Sequence, residues 1–386
     1  MNTLSQPSTK TIVLIGGGHA HALFLRQWAK RRVANTRLIV FNTQTQVAYT
    51  GMLPGFIAGH YSEHDLYIDI QALATTAGAQ FQRVTITHLD ANQQTVTTST
   101  DEIYEYDILS IDIGIHSEAQ SLPTADSTTV VGVKPLTEFA KRWQEFIGRP
   151  ASPTMPVSIA VIGGGVAGVE LALAMDYRLR THSHRTANIS IVEAHDLLPQ
   201  VSTATRKYLL SQLTARDIIV RTQLTVQEIT PTGVTLSDQS IIPSDFTVAA
   251  TGPHPYHWVS ETQLPSTDGY IQIDATLRSP TYPNVFAVGD CAHFLPYPLP
   301  KAGVYAVREA PFLYTNICAL IQQKPLQTYT PQKDYLKLIT LGNKRAASDK
   351  WGWCLRGVWL WYLKHFIDTS FMRRLHKQKT GTSMDT

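Results

Sequence analysis

Two stretches of the chain repeat one arrangement of apolar and polar positions. The first opens with an unbroken β-branched and aliphatic run, TIVLI (11–15), and reaches Gly16–Gly17–Gly18. Apolar residues then recur at helical spacing through HAHALFLRQWAKRR, before a second run, TRLIVF (36–41). Residues 157–193 do the same: VSIAVI, then GGGVAG, then VELALAMDYRL, then ISIVE. The pattern predicts the strand–helix–strand unit of a parallel, helix-covered sheet, present twice.

Other segments fill in around these units. Residues 81–89 and 94–98 read as short strands, YDILSIDIG (106–114) as a buried strand, and 136–147 as a helix. The Pro-punctuated stretch 149–156 reads as a linker. FTVAATG (246–252) is another strand, and TLRSPTYPNVFAVGD (276–290) carries a further strand into Gly289–Asp290. A Pro-rich loop and a helix from about Ala302 to Gln322 follow. The expected fold is α/β with two Rossmann-like units. One is discontinuous (1–130 with 265–330), the second spans 131–264, and a Trp-rich, basic region occupies 331–386.

Composition excludes several classes. With 386 residues, 43% apolar and 16% charged, the chain can bury a core in each of two or three domains and is not disordered. No apolar stretch is long enough to span a bilayer, and the run at Thr11–Ile15 is too short for a signal-peptide core. A cytoplasmic protein is expected. Cys291, Cys318 and Cys354 form no CxxC pair and fit no zinc spacing, so no metal site is expected from them. The net charge of +3 hides an asymmetry: residues 344–379 hold nine Lys/Arg and two Asp, an excess of seven, which leaves the remainder about four units negative. Outside the tail there is no basic stripe of the kind that binds nucleic acid.

The glycines carry the chemistry. In a GxGxxG turn they let the backbone approach a pyrophosphate, which sits at a helix N-terminus where free N–H groups and the dipole favour anions. The second turn is complete, with Gly163, Gly165 and Gly168 flanking Val166 and Ala167, and Glu193 ends the next strand, where a carboxylate accepts hydrogen bonds from an adenine ribose. The first turn has Gly16 and Gly18, but His21 takes the third glycine position and Asn42, not an acid, ends the second strand. Alone, it fits a structural turn as well as a binding one. Gly289–Asp290, at the end of an apolar strand, reads either as the aspartate that holds a ribityl chain or as a cap on the following turn.

Taken in order, the first turn, the second turn and VFAVGD resemble the two-dinucleotide-binding-domain flavoproteins: disulfide reductases, type II NADH dehydrogenases and sulfide:quinone oxidoreductases. The resemblance covers residues 11 to about 325. GGGHAH (16–21), YTGMLPGFIAGHY (49–61), SIDIG (110–114) and PKAGVYAVRE (300–309) further resemble the flavoprotein module sometimes fused ahead of selenide, water dikinase. The resemblance implies FAD as cofactor, with Gly16, Gly18, His19 and Asn42 around its pyrophosphate and adenosine half. It puts Gly289 and Asp290 at the ribityl chain, and Lys301 with Ala302 at the flavin. NADH, or NADPH, would bind at Gly163, Gly165, Val166, Ala167, Gly168, Glu193 and Gly252, with Glu170 reaching the nicotinamide. Glu170 and Lys301 are the candidate catalytic residues.

Two departures shape the functional reading. The loop that holds redox cysteines in the disulfide-reducing relatives reads Thr50–Gly51–Met52–Leu53–Pro54–Gly55, and no cysteine precedes Cys291. Electrons are therefore expected to leave the flavin directly for an outside acceptor. The stretch Ala302–Glu309 lacks the glutamines with which type II NADH dehydrogenases bind quinone, so a quinone is one acceptor among others. His60 and His64 have helical ligand spacing without a third ligand. His254, Tyr256, His257 and Trp258 read as packing or as lining the nicotinamide side.

The tail holds four of the seven tryptophans, at 351, 353, 359 and 361. On a helical projection Leu355, Val358, Trp359, Tyr362, Leu363 and Phe366 share one face, with Arg356, Lys364 and Asp368 opposite. Such a helix over 350–374 suits a membrane surface, the inner face of the bounding membrane being the expected one. It equally suits a cover for the protein's own core or a subunit partner, a homodimer included. The expected activity is an FAD-dependent oxidoreductase that takes hydride from NADH. The alternatives are flavin chemistry on sulfur or selenium compounds, and a membrane-docked FAD-binding sensor with little turnover.

Overall fold

Both Gly-rich turns leave the middle strand of a five-stranded parallel sheet. The computed structural model describes residues 9–117, 119, 122–124, 129–149, 156–182 and 186–376. The first sheet runs, in spatial order, Val285–Ala287, Ile108–Ile111, Lys10–Ile15, Thr36–Asn42, Gln80–Arg83. The second runs Val130–Gly132, Phe246–Ala249, Val157–Ile162, Ala187–Glu193, Ile219–Thr222. In each, the chain moves from the central strand to one edge and then crosses to the other side. That reversal opens a crevice at the carboxyl end of the central strand, where ligands of such sheets bind.

The central strands are almost wholly buried, as their unbroken apolar runs require. The helix His19–Lys30 buries Ala20, Phe24, Leu25 and Trp28, with the Phe24 and Trp28 rings against Tyr314, and Val166–His182 buries Val169, Leu171 and Met175. The helix Leu136–Ile147 has the bounds its periodicity predicts, and the expected helix at 302–322 spans Gly303–Ile321. The run 81–89 is not one strand. Gln80–Arg83 closes the parallel sheet, and Ile86–Asp90 joins Thr95–Thr98 and Ile103–Glu105 in a small antiparallel sheet. Arg185, most of the linker expected at 149–156, and Lys377 and Lys379 lie outside the described residues.

The C-terminal region differs from the single amphipathic helix its pattern predicts. Lys337–Leu341, Asn343–Asp349 and Arg356–Gly357 form an antiparallel sheet, and the helix begins only at Val358, ending at His376. Trp351, Trp353 and Leu355 therefore precede the helix. The sheet is tied to the second unit, where Thr340 donates its N–H to Glu170 at 2.6 Å and Arg216 donates to the Leu341 carbonyl at 3.2 Å. The helix is tied to the first: Lys364 Nζ donates to the Gly51 carbonyl at 2.6 Å, and the Tyr49 hydroxyl donates to Asp368 at 3.0 Å. Phe371 stacks on Tyr49 at 4.7 Å.

This packing turns the polar side of the helix inward. Lys364 and Asp368, on the polar side of the projection, face inward and pair at 2.7 Å, with Asp368 only 4% exposed. The apolar arc faces solvent: Trp359 is 54%, Tyr362 56% and Phe366 66% exposed. Among the described residues no helix is long and apolar enough to cross a membrane.

Removing one member of the inward pair strands the other. Asp368→Ala is expected to lower stability to urea by about 3–5 kcal/mol, because it leaves the Lys364 ammonium buried without its counter-charge. Phe366→Ala, on the exposed arc, should change it by no more than about 0.5 kcal/mol. The reverse ranking in urea unfolding would contradict this orientation of the helix.

Candidate functional site

The carboxyl edge of the first sheet opens into a cavity of about 630 Å³. Gly16, Gly17, Gly18, His19, Asn42 and Thr85 line it, together with Asp290, Lys301 and Gly303. A volume of this order suits a large cofactor. Its shape depends on missing side chains. Gly16 has φ +95°, and a Cβ there would run into the Asp112 carbonyl; on Gly17 it would come within 3.0 Å of Ile70 and 3.2 Å of Asn42. Gly114, also lining the cavity, has open space where a Cβ would stand. A close-approaching backbone at a helix N-terminus, with an acid and a cation further along the same cavity, fits a dinucleotide such as FAD.

His21, which replaces the third glycine, is fully buried rather than in the cavity. Its ring nitrogens lie 2.7 Å from the Gly16 carbonyl and 2.8 Å from the Ser110 hydroxyl, so the imidazole braces the turn from behind. Burial lowers its pKa to about 4, and it stays neutral. His19 is likewise held near 4 by burial; it touches Tyr49 and Phe371 edge-on at 5.2 and 6.0 Å.

The Asp290 carboxylate forms an ion pair with Lys134 at 2.8 Å. Gly289 donates its N–H to Glu309 at 2.7 Å, a carboxyl that burial pushes up to about 7. Lys301 donates to the Ala292 carbonyl at 2.6 Å and lies 3.9 Å from the centre of the Tyr270 ring. Gly289 lines only a small adjoining cleft, and Ala302 caps the helix behind Lys301 without lining the cavity.

The second turn has the same construction. Gly163 has φ +114°, and a Cβ on it would strike the Ala250 carbonyl; one on Gly168 would strike the Gly163 carbonyl. Glu193 lies against this turn as Asn42 lies against the first. Its carboxylate accepts the Gly164 N–H at 2.7 Å and the His195 N–H at 2.9 Å. Gly165, Val166, Ala167 and Gly252 lie about the same edge, where Gly252 again has open space. The Arg180 guanidinium binds Asp176 in its own helix and donates to the Arg216 carbonyl.

Glu170 does not line the cavity. It is partly buried and accepts the Thr340 N–H at 2.6 Å and hydroxyl at 3.0 Å; desolvation raises its pKa, against the Lys364 charge. Tyr256 and Trp258 line the same cavity as the first turn, whereas His257 is exposed and pairs with Glu261 at 3.1 Å. The His60 ring is 2.8 Å from the Gly342 carbonyl, and among the described residues no cluster of three His, Cys, Asp or Glu could hold a metal. Cys291 is buried, its thiol pushed up to about 12 by burial. Sequence reasoning missed Asp112 and Lys134. The one available signal was an acid inside the apolar run SIDIG.

Comparison with known proteins agrees with this geometry. The pyridine nucleotide-disulphide oxidoreductase family model matches residues 10–310. The internal alternative NAD(P)H-ubiquinone oxidoreductase A1 of Solanum tuberosum is 32% identical over 142 residues, which span 35% of this chain and 28% of that protein. Demethylphylloquinone reductase of Synechocystis is 25% identical over 348 residues, 86% of this chain and 85% of that protein. The structure of NDH2 from Plasmodium falciparum in complex with NADH superposes with a TM-score of 0.79 at 14% identity, covering 95% of this chain and 98% of that one, a likeness of fold. Since the family match takes in both glycine turns and the Gly-Asp motif, the chain belongs to the pyridine nucleotide-disulphide oxidoreductase family.

Proposed function

We propose that this chain is an FAD-dependent NADH dehydrogenase that hands electrons to a quinone-type acceptor at a membrane surface. The observation that carries the reading is the single cavity in which the first glycine turn meets Asp290 and Lys301. The names of the relatives, which reduce ubiquinone and demethylphylloquinone, support the acceptor class. Bound FAD would supply the hydride acceptance and onward electron transfer that no side chain offers.

The residues bind and orient. The backbone N–H at His19, with the helix dipole behind it, favours the pyrophosphate, while the Gly18 N–H is donated to the Asp112 carbonyl at 3.1 Å. Asp290, fixed by Lys134, accepts ribityl hydroxyls. Lys301 and the N-terminus of Gly303–Ile321 favour negative charge at the flavin end. At the second turn Glu193 selects a free 2′-hydroxyl over a 2′-phosphate. Glu170 would approach the nicotinamide while Thr340 orients its carboxylate. The loop Thr50–Gly55 carries no thiol, and Lys364 holds its carbonyl at Gly51, so the acceptor takes electrons without a disulfide relay.

The exposed arc of the tail helix is read as the membrane-facing surface. Trp359, Tyr362 and Phe366 suit the headgroup boundary, and Arg373 and Arg374 end the same helix.

Three outcomes test the reading. A Cys291→Ala, Cys318→Ala, Cys354→Ala triple variant should oxidise NADH with a water-soluble quinone at a rate near that of the parent. Loss of turnover with flavin still bound would restore the sulfur-chemistry alternative. Glu193→Ser should lose discrimination between NADH and NADPH by on the order of tenfold to hundredfold in kcat/KM, the worth of one charge-assisted hydrogen bond. An unchanged ratio removes Glu193 from the ribose site. Protein with Trp359, Tyr362 and Phe366 replaced by Ser should no longer co-sediment with vesicles containing anionic lipid, while keeping its flavin. Binding by the parent should weaken with salt, each basic residue near the surface contributing about 1 kcal/mol; equal sedimentation of both proteins contradicts docking through this arc.

A further inference from the structure

The N-terminus of the first helix already holds an anion of the protein's own. Asp112 follows the strand Ile108–Ile111, and its carboxylate accepts the His21 N–H at 3.0 Å, with the Ala20 N–H also directed at it. Those N–H groups are among the donors a helix N-terminus otherwise offers to a bound phosphate. The carboxylate is wedged between both glycine motifs: a Cβ on Gly18 would overlap it, and one on Gly289 would come within 2.9 Å. Asp112 also lines the cavity.

Among the described residues no cation pairs with it. On the helix the His19 and His21 rings are both neutral, held near pKa 4 by burial, and the His21 ring is bonded to Gly16 and Ser110. From the Gly-Asp turn come Asp290, whose charge Lys134 takes, and the neutral Cys291 thiol. From the helix Gly303–Ile321 comes Glu309, itself raised to about 7, with Lys301 near that carboxyl. Burial, and then the charges of Glu309 and Asp290, hold Asp112 up at about 7.

We propose that Asp112 carries a proton whenever the FAD pyrophosphate is bound beside it, so that flavin binding takes up a proton and loosens as pH rises. This rests on the FAD reading of the first turn. The sign follows from charge. Negative phosphates disfavour a further anion, so Asp112 holds its proton more tightly with FAD bound than without. Affinity is therefore level below the free-state value. Above it, affinity falls by up to about tenfold per pH unit until the bound-state value is passed. A protonated carboxyl keeps an acceptor for the His21 N–H and gains an O–H donor where an ionised one would repel.

The test is flavin release from the purified holoprotein on dilution, followed by fluorescence between about pH 6 and about pH 9. Calorimetric rebinding of FAD in two buffers of different ionisation enthalpy counts the protons. The parent should bind FAD about tenfold more weakly for each pH unit above about 7, taking up close to one proton there. Asp112→Asn should bind with little pH dependence and no proton uptake, and Glu309→Gln should keep the parent's slope. If Asp112→Asn does not fold, the parent's proton count decides. Affinity equal at both ends of the range, no proton taken up, a slope that survives Asp112→Asn, or one abolished by Glu309→Gln overturns the inference alone. Protein that carries no flavin at any pH overturns the FAD reading with it.

Discussion

Everything in this fold hangs on two places where backbone must touch backbone. Gly16 passes so close to the Asp112 carbonyl, and Gly163 so close to that of Ala250, that no Cβ can stand between them. Each contact joins the end of a central strand to the loop after its neighbour across the switch point. Each sets the N-terminus of the next helix at the crevice, and in the first unit Asp112 occupies the Ala20 and His21 N–H groups there. A larger residue at either glycine would separate strand from loop and close the site. The positive φ at both positions makes the demand for glycine doubly strict.

Around these turns the two units differ in what they add. The first gathers three carboxyl groups, Asp112, Asp290 and Glu309, about Gly289, of which, among the described residues, only Asp290 has a paired cation. The second has Glu193 at its turn, bound to the turn's own backbone. Such a contrast suits a resident cofactor in one unit and an exchanging substrate in the other. The tail then bridges them, its sheet bonded to Glu170 and Arg216 and its helix to Tyr49 and Gly51. The polar side of that helix thus holds Tyr49 and the loop at Gly51, while its apolar arc stays exposed.

Local chemistry made much of this legible in the sequence. Unbroken aliphatic runs ending in glycines specify strand–turn–helix without reference to anything distant, and helix 136–147 follows from its own periodicity. What could not be read depends on partners far along the chain. Asp112 caps a helix whose residues lie some ninety positions earlier, and only the sheet order brings the two together. The tail projection separated an apolar arc from a polar side correctly but could not say which faced inward. The polar side does, since Lys364 and Asp368 find Gly51 and Tyr49 more than three hundred residues away. The helix starts late because Arg356 and Gly357 pair with Ala347 and Ala346 as a strand. The run 81–89 splits because its halves belong to different sheets.

The central claim is that one chain holds a flavin beside the first turn and reduces it from a nucleotide at the second. Anaerobic titration of the purified protein with NADH, followed by flavin absorbance, tests this most directly. The account predicts that one equivalent of NADH per bound flavin bleaches the oxidised spectrum, and that the chain's cysteines contribute no further electron equivalents. A flavin that stays oxidised under excess NADH, in protein that retains its fold, would contradict it.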